Sequence, residues 1–127
     1  MHEGIITLTS RHSVDEVVAR LQSLLAQKGV KLFALVDHSG EASTAGLLMP
    51  NTKLLIFGSP KGGTPVMLSA PSAALDLPLK ILLTQEPDGT TLISWNDATW
   101  LQQRHDFSPE FLPNLAAAEA LARKAAE

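Results

Sequence analysis

The sequence contains no cysteine. That excludes a disulfide-stapled scaffold, a thiol nucleophile, iron–sulfur ligation and covalent haem attachment through Cys. It has no basic stripe either: 10 Lys and Arg stand against 13 Asp and Glu, for a net charge of −3. A general nucleic-acid binder needs clustered cations to release phosphate counterions, and here most cations stand alone. Trp95 and Trp100 are too few for a base-stacking platform. No apolar run approaches the ~20 residues of a membrane span. Met1-His2-Glu3-Gly4 leads straight into a strand-like run without the basic and apolar regions of a secretory leader, so a cytoplasmic location is expected.

Chemical motifs are equally sparse. His2, His12, His38 and His105 are scattered without H-x3-H or HExxH spacing, and no metal centre is expected. A Gly-x-Ser-x-Gly nucleophile elbow is lacking. Asp76, Glu86 and Asp88 form no recognisable acid pair. Nothing in the spacing demands a haem between His38 and Met49 or Met67, and no cofactor is expected.

What remains is an ordinary globular composition, 45% hydrophobic and 18% charged. A chain of 127 residues is expected to form one domain over residues 1–127 with a normal core, burying roughly 65–70% of its unfolded surface. Residues 4–9 read as a first strand. Ser13 and Glu16 then form a capping box, with Val14, Val17, Val18, Leu21, Leu24 and Leu25 on one helical face and Gly29 as the stop. This predicts a helix over about 13–28.

Leu32 to Val36 reads as a strand covered on both faces or centrally placed, and Lys53 to Phe57 as a third strand. A short helix is expected over Ala42 to Gly46, and another over Pro65 to Ala70, with Thr64 as N-cap and Pro65 at the first helical position. Leu79 to Gln85 and Thr90 to Trp95 flank the hairpin turn Glu86-Pro87-Asp88-Gly89. Asn96-Asp97 caps a helix carrying Trp100 and Leu101, and Leu115 to Ala126 forms an Ala-rich last helix. The fold class is therefore α/β (α+β): a two-layer sandwich with a mixed sheet of about five strands and helices mainly on one face.

Three segments together resemble a known family: Val36-Asp37-His38-Ser39-Gly40, Leu55 to Met67 (LIFGSPKGGTPVM), and Leu75 to Leu82 (LDLPLKIL). They are similar to the bacterial and archaeal family called domain of unknown function 302, from about Ile5 to Trp95. Ser59 stands where that family usually has Asn. The resemblance implies a two-layer α/β fold and a homodimer, and brings no established activity.

Two candidate sites follow. The Gly58–Thr64 turn joins a strand to a helix, and Gly62 and Gly63 permit conformations closed to other residues. Successive N–H groups of Lys61, Gly62, Gly63 and Thr64 would form an anion nest at a helix start, with the Lys61 charge added. It is not a Walker A loop, because Thr64 stands where the Lys should follow. Asp37 and His38 end a strand, where functional residues often sit, and imidazole is the side-chain type suited to act as acid, base or ligand. Asp37 is better suited to capping the next turn, and His38 to a hydrogen bond with backbone.

The favoured expectation is a non-enzymatic homodimeric domain binding a small anionic ligand at Gly58–Thr64. One rival is an enzyme using His38 as acid or base beside that turn; the other is a protein-interaction module without a small ligand. The Met67–Leu79 stretch is the expected dimer surface, and no nucleic-acid or membrane partner is expected.

Overall fold

The computed structural model describes residues 2–127. In order, the elements are β1 (Ile5–Ser10), α1 (Val14–Gln27), β2 (Lys31–Asp37), α2 (His38–Thr44), β3 (Thr52–Gly58) and α3 (Pro60–Ser69). A 3-10 turn (Pro71–Leu75), β4 (Leu79–Gln85), β5 (Thr91–Asn96), α4 (Ala98–His105), a second 3-10 turn (Pro109–Leu115) and α5 (Ala117–Ala126) complete the chain. The strands form one open sheet in the order β1-β5-β4-β3-β2.

The α+β class and the five strands are as expected, but the sheet is not mixed. Every neighbouring pair is antiparallel. The reason is length. A parallel neighbour needs a crossover that returns along the whole sheet. At 7 residues α2 is only about 10 Å long, whereas the strands beside it span roughly 20 Å. The chain therefore turns at the same end of the sheet, and α2 is an insertion in a hairpin. The longer α1 carries the chain from the β1 edge to the β2 edge.

One face of the sheet holds the core. Leu55 and Phe57 of β3, Ile81 and Leu83 of β4, and Ile93 and Trp95 of β5 are buried there. They join Val14, Val17, Val18, Leu21 and Leu25 of α1 and Leu121, Ala122 and Ala125 of α5 in one apolar cluster. The α1 residues are those its helical period selects, with Leu24 half-buried at the margin. The capping box forms as read: Glu16 N–H donates to Ser13 Oγ at 3.2 Å and Ser13 N–H to Glu16 Oε1 at 3.3 Å. Gly29, at φ +65°, supplies the left-handed stop.

α1 and α5 are tied together at the α5 C-terminus. Arg20 Nε donates to Ala125 O at 2.9 Å and an Arg20 terminal nitrogen to Lys124 O at 3.3 Å. A guanidinium there satisfies last-turn carbonyls and complements the negative end of the helix dipole. The opposite sheet face is half-exposed. It carries a row of Val36, Leu54 and Leu82 across three strands, flanked by Ile56 and Leu92.

Carboxylates at helix starts and turns are expected to make the fold acid-sensitive. Asp15 is held below the usual carboxylate range by the Lys53 ammonium at 2.7 Å and by Asn51. Backbone and hydroxyl donors do the same for Glu16 (Ser13), Asp37 (Gly40, then Ser39) and Asp88 (Thr90). Groups whose pKa is depressed on folding contribute stability above their unfolded pKa and lose it as pH falls through the folded one. The melting temperature is thus expected to be flat near neutrality and to fall below the ordinary aspartate value of 3.8. A melting series across that range checks this.

Candidate functional site

The Gly58–Thr64 segment borders a cleft of about 300 Å3. Its walls come from β2 (Phe33), β3 (Phe57), α3 (Gly62, Gly63, Thr64, Met67), the entry to β4 (Leu77, Pro78) and the second 3-10 turn (Asn114, Leu115). Small-molecule sites begin at about this size. The lining is overwhelmingly apolar. Ser59, Thr64 and Asn114 are its polar side chains, and none of the lining residues is ionisable.

Local structure here differs from the expectation in one consequential way. α3 begins at Pro60, not Pro65. Two prolines competed for the first helical position, and Pro60 takes it: the preceding Ser59 is extended at φ −130°, ψ 131°, as a residue before proline prefers. Pro65 lies inside the helix and leaves the Lys61 carbonyl without its helical donor. The glycines are consequently helical, and neither Gly62 nor Gly63 has positive φ. Their N–H groups both donate to Ser59 O at 3.0 Å. Two of the N–H groups expected to converge on an anion, those of Gly62 and Gly63, thus close the first turn of α3 instead.

The glycines serve a different purpose, that of opening space. A Cβ on Gly63 would stand 3.7 Å from Met67 Cε and 3.9 Å from a Leu77 methyl, both lining the cleft. One on Gly62 would press against Asn114 O at 3.3 Å. Asn114 Nδ2 meanwhile donates to Gly62 O at 3.0 Å, fixing the α3 entry against the second 3-10 turn. Lys61 is exposed between the lining residues Pro60 and Gly62. A second cation, Lys31, places its ammonium 5.1 Å from the centroid of the Phe33 ring, a cation–π contact on a cleft-lining side chain.

Asp37 and His38 are not part of this site. Asp37 pairs with Lys53 and Lys31 with Gly58, so the Asp37–His38 corner and the glycine segment occupy opposite ends of the β2–β3 ladder, roughly 20 Å apart. Adjacent antiparallel strands put their C-terminal ends on opposite sides, which removes the arrangement of His38 beside the turn. Asp37 caps α2, accepting Gly40 N–H at 2.9 Å and the Ser39 hydroxyl at 2.7 Å. That helix starts at His38, ahead of the expected Ala42, and His38 is exposed on it.

The Met67–Leu79 stretch divides. Met67 and Leu77 face the cleft and Leu79 is buried, leaving Leu68 and Leu75 outward at 80% and 72% exposure.

A polar cluster that sequence reading missed links the first 3-10 turn to the end of α4. Ser72 Oγ lies 2.8 Å from His105 Nδ1, and His105 Nε2 lies 2.6 Å from Asp76 Oδ2. Arg104 reaches both Asp76 oxygens, at 3.1 and 3.3 Å. The His105 side chain is 4% exposed and that of Asp76 17%. Ser72 and Asp76 share a short segment but His105 lies 33 residues beyond Ser72, so no local spacing signals the group.

A family model and a solved structure agree with this fold. Among the described residues no helix is long and apolar enough to cross a membrane. Even so, the chain is 40% identical over 102 residues to proteins named fluoride-specific ion channel FluC 1 from Brucella suis and FluC 2 from Brucella melitensis. The match takes in 80% of this chain but only 40% and 38% of those relatives. A crystal structure of an uncharacterized conserved DUF302 protein from Bacillus stearothermophilus superposes with a TM-score of 0.79 at 21% identity, covering 98% of this chain and 97% of that one. The model of the family described as domain of unknown function DUF302 matches residues 6–127, reaching past Trp95 through both C-terminal helices. The chain belongs to the DUF302 family.

Proposed function

We propose that this domain binds a small amphipathic carboxylate, its apolar body in the cleft and its charged end at the mouth beside Lys61 and Lys31. The observation that carries this reading is the cleft itself: an apolar space of about 300 Å3 with cations on flanking or lining elements and no ionisable group in its wall. Such a wall offers desolvation and shape but no acid or base to activate the Ser59 or Thr64 hydroxyl, which favours binding over turnover at this place. The expected anion survives in altered form, as one end of a larger molecule instead of a naked ion in a backbone nest. We place this activity in the bacterial cytoplasm.

A thermal-shift panel tests it, since any ligand preferring the native state raises stability. Octanoate is expected to stabilise the protein, octanol less, and acetate and phosphate not at all. Lys61→Ala is expected to weaken octanoate most at low ionic strength, where screening is least. No shift with any amphipathic carboxylate overturns the reading.

A second reading, an interaction module, has one specific observation in its favour: the identity to a part of proteins named as fluoride-specific ion channels. A domain without a membrane-crossing helix would stand beside, not within, the conducting part of such a protein. Fluoride belongs in the same panel for that reason. Stabilisation by neither fluoride nor octanoate favours this second reading over the first.

Self-association is part of the proposal. With Met67 and Leu77 committed to the cleft, the half-exposed sheet face with Leu54, Ile56, Leu82 and Leu92 is the better candidate for an isologous two-fold contact. Leu82→Glu puts a charge at its centre, between Leu54 and Ser94. Sedimentation is expected to give a dimer for the wild type and a folded monomer for this variant. A wild-type monomer at tens of micromolar, roughly the range where a useful homodimer should persist, contradicts it.

A further inference from the structure

We propose that Ser72, His105 and Asp76 form an acyl-accepting triad, with Ser72 as nucleophile toward small esters carrying an apolar acyl group. A triad is recognised by geometry and roles, not by a motif. Here a surface serine touches one imidazole nitrogen at 2.8 Å, and a carboxylate holds the other at 2.6 Å. With Asp76 accepting the Nε2 proton, neutral His105 presents the Nδ1 lone pair to the Ser72 hydroxyl. The ring enters through the nitrogen opposite to the usual one, but the two relay a proton equally well. Arg104 fixes Asp76 as a positioning residue, and the near-complete burial of His105 holds the ring in one orientation.

Exposure follows the same logic. The nucleophile is at the surface, the base beside it is almost fully covered, and the carboxylate that holds the base is partly exposed, where Arg104 reaches it. Leu75 is three residues after Ser72 in a 3-10 turn, where side chains at i and i+3 eclipse. It is 72% exposed, and it gives an acyl chain an apolar surface next to the attacking oxygen.

In the proposed step Ser72 Oγ bonds to the ester carbonyl carbon while its proton passes to His105 Nδ1. The bond from that carbon to the leaving oxygen breaks, and His105 returns the proton to the departing alcohol. Water attacks the acyl-Ser72 ester by the same relay, releasing the carboxylic acid and restoring the serine. No redox partner or metal is involved.

The probe is p-nitrophenyl butyrate, with released nitrophenol read by absorbance and the acylated peptide by mass spectrometry. A butyryl group is expected on Ser72 and on no other residue, and both signals vanish in Ser72→Ala, an exposed and structurally mild change. Asp76→Asn is expected to slow acylation of Ser72 by at least about a hundredfold. Because that change also disturbs an ion pair, the nitrogen NMR signature of the His105 ring is read alongside the rate. The wild type is expected to carry its proton on Nε2, and loss of that tautomer in the variant marks positioning as opposed to simple destabilisation. Equal hydrolysis by wild type and Ser72→Ala, butyrylation only at other residues, or full-speed labelling of Ser72 in Asp76→Asn each overturns the proposal.

Discussion

Replacing Leu21 by Ala is expected to destabilise the domain by about 2–5 kcal/mol, lowering the melting temperature by roughly 6–20 °C. Leu21 is 1% exposed, at the middle of the α1 stripe that meets the sheet. Truncation removes the transfer energy of its side chain and leaves a cavity among Val17, Leu25 and the strand residues, which regular elements cannot readily close. Chemical denaturation of the two proteins side by side measures the difference. A cost below about 1 kcal/mol, typical of a surface substitution, would show that α1 is not a principal wall of the core.

Gly63→Leu is expected to abolish binding of amphipathic carboxylates while leaving the fold intact. Gly63 is helical without positive φ, so a side chain meets no backbone strain there. Its Cβ would make ordinary contacts with Met67 and Leu77, and a leucine would extend from them into the cleft. Gly63→Ala is the control. It restores helix propensity worth about 0.5–1 kcal/mol and takes up only the first part of that space, so it should raise stability and weaken binding modestly. Calorimetric titration with octanoate reads all three proteins. Undiminished affinity in a folded Gly63→Leu protein places the ligand elsewhere.

Different parts of this molecule were legible in the sequence for different reasons. α1 announces itself because capping box, apolar period and terminal glycine are all local and agree. The β4–β5 hairpin does so because Asp88-Gly89 has few other uses; Gly89 adopts φ +87° as such a turn requires. The glycine-rich turn between a strand and a helix located the Gly58–Thr64 segment, and a cleft does lie there. The nature of the cleft was not legible, because its walls come from elements as far apart in sequence as Phe33 and Leu115.

Glycine chemistry misled for a physical reason. A Gly-Gly pair before Thr-Pro satisfies two patterns at once, a phosphate-cradling turn and the crowded first turns of a helix. Only the choice between Pro60 and Pro65 as helix start separates them, and that choice depends on tertiary packing of α3 against the second 3-10 turn. His38 misled likewise, since strand-end residues converge only when neighbouring strands run parallel. The Ser72–His105–Asp76 cluster had no local signal at all.

If the apolar cleft holds the ligand, Met67 reports on it directly. Its side chain lines the cleft, whereas Met49 lies in the α2–β3 connection, outside it. With carbon-13 methyl-labelled methionine, titration with octanoate is expected to move the Met67 methyl resonance to saturation and to leave that of Met49 in place. In Gly63→Leu the Met67 signal should not respond. A Met67 resonance that stays fixed while octanoate binds, or that moves equally in Gly63→Leu, contradicts the account.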